Sequence, residues 1–156
     1  MRLIIAVPGR LQHPGAQAYA DDYAKRIERI IPMHRQTIRE ARRSKGGRDP
    51  RALDRESAAL LRTIPQGATL VAMDPSGRQM NSQAFLLWLV GLAETGTRHL
   101  AFVIGGPDGL SKEVLETSDH RLSLSPMVLP HELAEVVLLE QIYRALTRWK
   151  GLPYHR

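Results

Sequence analysis

Short apolar runs alternate along the chain with longer stretches in which apolar residues recur every three or four positions. The short runs predict five strands, at residues 3–7, 33–39, 69–74, 99–105 and 121–125. The longer stretches predict five helices, at residues 15–31, 50–64, 82–94, 112–117 and 131–150. Because strands and helices alternate, we predict an α/β fold with a mainly parallel sheet and helices on both of its faces.

The last predicted helix carries an apolar stripe that includes Leu133, Val136, Val137 and Leu146, and it ends near Trp149. Such a stripe must be buried against something. Two interpretations stay open from the sequence: the helix packs into the core of its own subunit, or it forms the interface of a homodimer.

A chain of 156 residues is expected to form a single domain, residues 1–156. It contains no cysteine, which excludes disulfides, thiolate metal sites and a cysteine nucleophile. The histidines lack the spacing of metal ligands, so we expect no metal. We find no signal peptide and no apolar segment near the roughly 20 residues of a membrane span, and we expect a cytoplasmic protein.

The net charge of +6 is unevenly distributed. Residues 1–66 contain 14 Lys and Arg against 7 Asp and Glu, whereas residues 67–156 contain 8 against 9. This asymmetry predicts a polyanionic partner such as nucleic acid, although a basic face that serves only solubility would have the same composition.

Three predicted strand ends have unusual sequences. Gly105 and Gly106 follow a buried strand and allow close backbone approach and positive φ. Met73 and Asp74 precede a Pro-Ser-Gly turn. Residues 124–130 form an apolar loop that contains Pro126 and ends at Pro130. Ligands of parallel α/β sheets bind beyond the carboxyl ends of the strands, so these segments predict a binding site. Ordinary turns and a buried crossover remain the alternative.

The chain ends in Tyr154, His155 and Arg156. A tyrosine can stack on a base, a histidine can move a proton near neutral pH, and an arginine can pair with phosphate. A frayed tail of accidental composition is the alternative.

Four segments together resemble the RlmH family, the small SPOUT-class methyltransferases named ribosomal RNA large subunit methyltransferase H. They are the Gly-Gly-Pro-Asp-Gly-Leu-Ser, Leu-Ser-Leu-Ser-Pro-Met-Val-Leu-Pro-His, Leu-Glu-Gln-Ile-Tyr-Arg-Ala and terminal Pro-Tyr-His-Arg segments. Each motif is weak alone, and their combination over the whole chain is specific.

The resemblance implies a C-terminal trefoil knot, a homodimer and S-adenosyl-L-methionine as cofactor. It implies methylation at N3 of a pseudouridine in a stem-loop of 23S rRNA in the assembled ribosome. Carried over by motif, the cofactor site comprises Met73, Asp74, Gly105, Gly106, Leu124, Ser125, Pro126, Met127, Val128, Leu129 and Pro130.

The resemblance also suggests roles in catalysis and RNA binding. We expect His155 to accept the N3 proton, directly or through water, Tyr154 to pack on the target base, and Arg144 and Arg156 to hold phosphate. We expect the basic residues of the first half to bind ribosomal RNA: Arg35, Arg39, Arg42, Arg43, Lys45, Arg48 and Arg51.

Two alternatives remain. One is a knotted methyltransferase that acts on tRNA or on a ribose 2′-hydroxyl. The other is a ribosome-associated RNA-binding protein without catalysis, which would not bind S-adenosylmethionine tightly.

Overall fold

The computed structural model describes residues 1–41 and 49–154. Within them lie five strands: β1 (Arg2–Pro8), β2 (Met33–Ile38), β3 (Thr69–Gln79), β4 (His99–Ile104) and β5 (His120–Ser123). Five helices alternate with them: α1 (Pro14–Glu28), α2 (Pro50–Arg62), α3 (Ser82–Glu94), α4 (Lys112–Thr117) and α5 (His131–Trp149). All ten predicted elements are present.

The five strands form one sheet in the order β2-β1-β4-β3-β5, and every neighbouring pair is parallel. The predicted parallel sheet is therefore confirmed. Because the strands run in one direction, their carboxyl ends share one edge, where β4 and β5 end beside Met73 of β3.

Alternate residues of β1 enter two separate cores. Leu3, Ile5 and Val7 join the cluster that contains buried residues of α1, α3 and α5. Ile4 and Ala6 join a second cluster with residues of α2 and α4. Since side chains alternate between the faces of a strand, the helices cover both faces, as predicted.

Side-chain caps fix where two helices begin. Asp49 Oδ1 accepts hydrogen bonds from the backbone N–H groups of Arg51 and Ala52 at 3.1 Å, and Pro50 occupies the first turn of α2. Ser111 caps α4 by accepting from Val114 N at 3.4 Å. The predicted starts at Pro50 and Ser111 are confirmed.

Strand β3 runs five residues beyond its predicted end at Asp74. Asp74 Oδ1 accepts from Ser76 N at 2.7 Å and also from the Ser76 hydroxyl, which forms the predicted turn. The chain then rejoins β5, with a register shift between Met73 and Arg78. The turn is thus a bulge within a strand, and the predicted strand end is wrong because pairing resumes after it.

The apolar stripe of α5 is partly buried and partly exposed. Leu138, Leu139 and Ile142 are fully buried in the core. Leu133 and Val137, one turn apart, are 50% and 38% exposed.

Among the described residues, no helix is long and apolar enough to cross a membrane.

Candidate functional site

A cavity of about 460 Å³ opens at the carboxyl edge of the sheet, where β4 and β5 end beside the bulge of β3. Its walls are mostly apolar and come from the strand ends, the loop before α5 and the first turn of that helix. The lining residues are Met73, Asp74, Pro75, Ile104, Gly105, Gly106, Pro107, Gly109, Leu122, Leu124, Ser125, Met127, Val128, Leu129, Pro130, His131 and Ala134.

Ten of the eleven predicted cofactor residues lie around this one cavity, and Pro126 is the one outside its lining. The three segments are distant in sequence, and the parallel sheet brings them together. Sequence reasoning missed Ile104, Leu122 and His131. His131 directly follows Pro130 at the end of the apolar loop, and this position was the available signal for it.

The glycine loop after β4 is shaped by contact with itself. A Cβ on Gly105 would lie 2.3 Å from the backbone C and O of Gly109, and Gly109 N donates to Gly106 O at 2.9 Å. Positive φ occurs at Gly109, at 82°, and at neither Gly105 nor Gly106. The expectation of positive φ at the paired glycines is therefore wrong. Gly105 is required because the loop folds back onto its backbone.

The far end of the glycine loop is anchored in the interior. Ser111 is 3% exposed, and its backbone N–H donates to the hydroxyl of buried Ser57 on α2 at 2.9 Å. This hydrogen bond connects the end of the glycine loop, which lines the cavity, to helix α2 on the face of the sheet that α2 and α4 cover.

The apolar loop before α5 is held by two local hydrogen bonds. Ser123 Oγ donates to Ser125 O at 2.9 Å, and Met127 N donates to Ser125 Oγ at 3.0 Å. Met127 and Val128 at its tip are 76% and 81% exposed. Such exposure of apolar side chains beside a cavity is typical of a surface that a ligand or partner covers.

The tail packs against helices of its own subunit. The hydroxyl of Tyr154 lies 3.0 Å from that of Tyr23 on α1 and donates to Glu140 Oε1 at 3.2 Å. Its ring meets that of Tyr143 edge-on, with 4.6 Å between centroids. Burial, followed by the bond to Tyr23, raises the pKa of the Tyr154 phenol, so it stays protonated and acts as a donor. We call Tyr23, Tyr143 and Tyr154 the tyrosine cluster.

Arg144 joins the tyrosine cluster. Its Nη2 lies 2.5 Å from Glu140 Oε1, and its guanidinium carbon lies 5.2 Å from the centre of the Tyr154 ring. The bond to Glu140 raises the pKa of Arg144. Predicted as a phosphate ligand, Arg144 is one-third exposed and keeps part of its guanidinium accessible.

The cavity and the tyrosine cluster lie at different ends of α5. His131 and Ala134 border the cavity, whereas Glu140, Tyr143 and Arg144 contact Tyr154. Ala134, which lines the cavity, and Glu140, which accepts from Tyr154, are six residues apart, roughly 9 Å along the helix at 1.5 Å per residue. Tyr154 is not among the residues that line the cavity.

The predicted RNA-binding residues differ in their surroundings. Arg35 donates to Glu135 Oε1 from Nε at 2.8 Å and to Asp21 Oδ1 from Nη1 at 2.6 Å. Because these carboxylates occupy its guanidinium, Arg35 has a structural role in α1–β2–α5 packing and not the predicted contact with RNA. Arg39 and Arg51 are exposed.

Arg39 lines a second, polar cavity of about 570 Å³ beyond β1 and β2, together with Arg10 and Gln12. The predicted residues Arg42, Arg43, Lys45, Arg48, His155 and Arg156 lie outside the described residues. Within the described ranges, no group of three or more His, Asp or Glu side chains is arranged to hold a metal ion.

Comparison with known proteins agrees with this arrangement. A family profile described as "Predicted SPOUT methyltransferase" matches residues 1–155. A Rubrobacter xylanophilus protein named "Ribosomal RNA large subunit methyltransferase H" is 43% identical over 99% of this chain and 98% of its own length. Proteins of the same name from Gemmatimonas aurantiaca and Paracoccus denitrificans are each 40% identical, over all of this chain and 100% and 99% of their own.

Proposed function

Because the chain belongs to the SPOUT methyltransferases, within the family of ribosomal RNA large subunit methyltransferase H, we propose that it methylates N3 of a pseudouridine in 23S rRNA. The proposed methyl donor is S-adenosylmethionine, and the proposed substrate is the assembled ribosome. The observation that carries this proposal is the cavity formed by the bulge of β3, the glycine loop after β4 and the apolar loop after β5.

The cavity suits S-adenosylmethionine in size and chemistry. Its volume of about 460 Å³ lies within the range of small-ligand sites, roughly 300 to 1,000 Å³. Leu124, Leu129 and Ile104 offer apolar walls for a purine ring, and Asp74 and Ser125 supply polar groups. The absence of a Cβ at Gly105 keeps the loop close to Gly109 and leaves backbone groups at the cavity wall. These residues fit the proposed cofactor.

When bound, S-adenosylmethionine supplies an electrophilic methyl group. The residues of the chain then have to align the attacking nitrogen with that methyl and receive the N3 proton. The apolar loop at residues 124–130 lines the cavity with all of its residues except Pro126.

We assign the reaction at the nucleotide to the tail. His155 accepts the N3 proton, directly or through water, Tyr154 packs on the target base, and Arg144 and Arg156 hold phosphate. A protonated Tyr154 is compatible with packing and donation, and does not compete with His155 as a base. If His155→Ala leaves the single-turnover rate unchanged, the assignment of the base is wrong.

A homodimer would unite the two parts of the site. Within one subunit Tyr154 is not among the residues that line the cavity, and we propose that a second copy supplies the tail for each cavity. Exposed Leu133 and Val137 on α5, and exposed Met127 and Val128 beside it, offer apolar surface for this contact. The C-terminal trefoil knot of the fold is likewise part of the proposal.

The basic first half is proposed to bind ribosomal RNA through Arg39, Arg51 and the basic residues at positions 42–48. Reversing the charge of Arg39, Arg42 and Arg43 should weaken ribosome binding and flatten its dependence on salt, since fewer counterions are released. Arg35 is excluded from this set because its ion pairs hold the fold together.

The deciding experiment is methyl transfer from labelled S-adenosylmethionine to assembled ribosomes, isolated large subunits and naked RNA, followed by mapping of the labelled nucleotide. We expect label on a pseudouridine base and only with assembled ribosomes. Label on tRNA or on a ribose would overturn the substrate. Failure to bind S-adenosylmethionine would overturn the enzyme and favour a non-catalytic RNA-binding protein.

A further inference from the structure

The last turns of α1 and α5 lie side by side. Near the helix starts, Glu132 in the first turn of α5 accepts from the backbone N–H group of His13, just before α1. Near the helix ends, the guanidinium carbon of Arg26 on α1 lies 5.7 Å from the centre of the Tyr143 ring on α5. Both helices therefore run in the same direction, and the structure joins two segments that are distant in sequence.

The joined helix ends carry an excess of basic residues. Residues 22–29 and 140–150 together contain six Lys and Arg against three Asp and Glu. The sequence conceals this excess, because residues 67–156 as a whole contain 8 basic and 9 acidic residues. The basic residues are Lys25, Arg26, Arg29, Arg144, Arg148 and Lys150.

Two of these arginines lie against tyrosine rings. Arg26 lies over Tyr143, and the guanidinium carbon of Arg144 is 5.2 Å from the centre of the Tyr154 ring. The centres of the Tyr143 and Tyr154 rings are 4.6 Å apart. The four side chains therefore form a row in which two neighbouring rings lie between two guanidinium groups.

Two further arginines follow the row along the same helices. Arg29 comes three residues after Arg26, and Arg148 comes four residues after Arg144, so each shares a helix face with its neighbour. Arg26 and Arg144 each pair with a carboxylate one turn earlier on their own helix. Arg29 and Arg148 are exposed, and in the described part of the chain no carboxylate pairs with either of them.

Basic residues at a helix end have an ordinary explanation, because a cation there stabilises the helix dipole. Arg62 is such a residue: it is exposed, in the last turn of α2, on the other face of the sheet. The ends of α1 and α5 differ because aromatic rings lie among their guanidinium groups. Surfaces that bind single-stranded RNA combine these two groups, since cations contact phosphates and rings stack with bases.

We propose that this surface binds the RNA strand next to the target nucleotide, with Arg29 and Arg148 contacting its phosphates. The inference rests on the proposed function and extends the phosphate contact assigned there to Arg144. Since His155 follows Tyr154 directly in sequence, the surface adjoins the residues assigned to the reaction. We call it the arginine–tyrosine surface, and it consists of Arg26, Arg29, Tyr143, Arg144, Arg148 and Tyr154.

Binding of a fluorescent oligouridylate to the full-length protein, followed by anisotropy at several salt concentrations, tests the surface. We expect Arg29→Gln combined with Arg148→Gln to weaken binding about 20-fold at about 0.1 M salt. The slope of log affinity against log salt should become shallower by about 1.4, because each contact with a single strand contributes roughly 0.7. Lysine at both positions keeps the charges and should retain the slope. Unchanged affinity and slope in the glutamine variant overturn the proposal.

Arg62→Gln is the matched control, since it removes an equally exposed arginine from the last turn of a helix. It should leave affinity and slope unchanged, and an equal loss would overturn the surface by attributing the effect to net charge alone. Polyglutamate tests the class of partner. We expect it to displace the labelled RNA poorly, and displacement as strong as that by unlabelled oligouridylate would overturn RNA as the occupant.

Methylation of ribosomes distinguishes this inference from the proposed function. In the double glutamine variant we expect KM for ribosomes to rise about 20-fold, with kcat and S-adenosylmethionine affinity unchanged, because phosphate contacts persist from ground state to transition state. If the unaltered protein binds RNA with the expected salt dependence and methylates nothing, the proposed function fails and the surface stands. If it methylates ribosomes and the variant keeps the same KM and RNA affinity, the surface fails and the function stands.

Discussion

The two ends of α5 differ in how their polar groups are satisfied. At its start, His131 Nε2 and Glu135 Oε2 are buried without partners beside an open apolar cavity. Further along, Glu140 accepts from Arg144 and from Tyr154, whose hydroxyl also meets Tyr23. The polar groups near the start of the helix lack hydrogen-bond partners, whereas Glu140 is hydrogen-bonded to the tyrosine cluster.

This difference separates two tasks on one helix. Unused polar groups and exposed apolar side chains at the start are typical of a surface that a ligand completes. The paired cluster further along the helix holds Tyr154 against α1 and α5. We therefore expect substitutions at the cavity to change cofactor affinity, and substitutions in the tyrosine cluster to change turnover.

The largest effect is expected for Gly105→Ala. The new Cβ would lie 2.3 Å from the backbone of Gly109, so the loop must open and the cavity loses a wall. We expect S-adenosylmethionine affinity to fall at least about 100-fold, and the free energy of unfolding to fall by about 2 kcal/mol through overpacking. Calorimetry and denaturant titration measure the two quantities.

Gly91→Ala is the matched control for Gly105→Ala. Gly91 lies within α3, and a Cβ there meets nothing within 4 Å. Alanine should raise the free energy of unfolding by up to about 1 kcal/mol and leave affinity unchanged. Unchanged affinity in Gly105→Ala would show that the glycine loop is not part of the cofactor site.

The next effect concerns the tail. Tyr154→Ala removes the ring that packs on Tyr143, and we expect single-turnover methylation of ribosomes to slow roughly 100-fold while cofactor affinity stays the same. Tyr154→Phe keeps the ring and should retain most of the rate. Tyr19→Ala, on a side chain that is 63% exposed, is the control. A parallel loss of cofactor affinity in Tyr154→Ala would contradict the division between the two ends.

Glu140→Gln should have a smaller effect, on stability. The amide keeps an acceptor for Tyr154 and Arg144 and loses the ionic part of the bond to Arg144, whose side chain is 33% exposed. We expect the free energy of unfolding to fall by about 1 kcal/mol, or the melting temperature by roughly 2–4 °C. No change would mean that the ion pair adds nothing to the tyrosine cluster.

The smallest effect, below about 1 kcal/mol at pH 7, is expected for Glu132→Gln at the cavity end. Backbone N–H groups of Gln12, first, and of His13 donate to Glu132 and lower the pKa of its carboxyl group. Its ionised form thus stabilises the fold above its ordinary pKa of 4.5. That contribution disappears as the pH falls through the lowered value. Thermal unfolding of both proteins between pH 7 and pH 3 should show the difference closing on acidification.

Local sequence was sufficient for the elements and for most of the cavity. Apolar periodicity predicted all ten elements. Pro50 and Ser111 mark the starts of α2 and α4 through interactions within the first turn of each helix. The predicted strand ends at Asp74, Gly105 and Ser125 could be assigned to one site because a parallel sheet brings its carboxyl ends to one edge.

Contacts between distant residues were beyond the sequence. Arg35 pairs with Glu135 one hundred residues later, and Tyr23 meets Tyr154 over a separation of 131. Neither pairing follows from composition, and the sequence alone therefore predicts an RNA contact for Arg35. The predicted end of β3 at Asp74 is wrong for the same reason, because the continuation of the strand depends on pairing with β5.

The strand order has a consequence for how the protein emerges during synthesis. β1 lies between β2 and β4, and Leu3 pairs with Met33 on one side and with Leu100 on the other. At roughly 5–20 residues per second, the 66 residues from Ile38 to Ile104 take roughly 3–13 seconds to synthesise, and the second edge of this apolar strand stays unpaired for that time. An open apolar edge invites pairing with other nascent chains. The strand order therefore leaves one edge of β1 open to such pairing until β4 is complete.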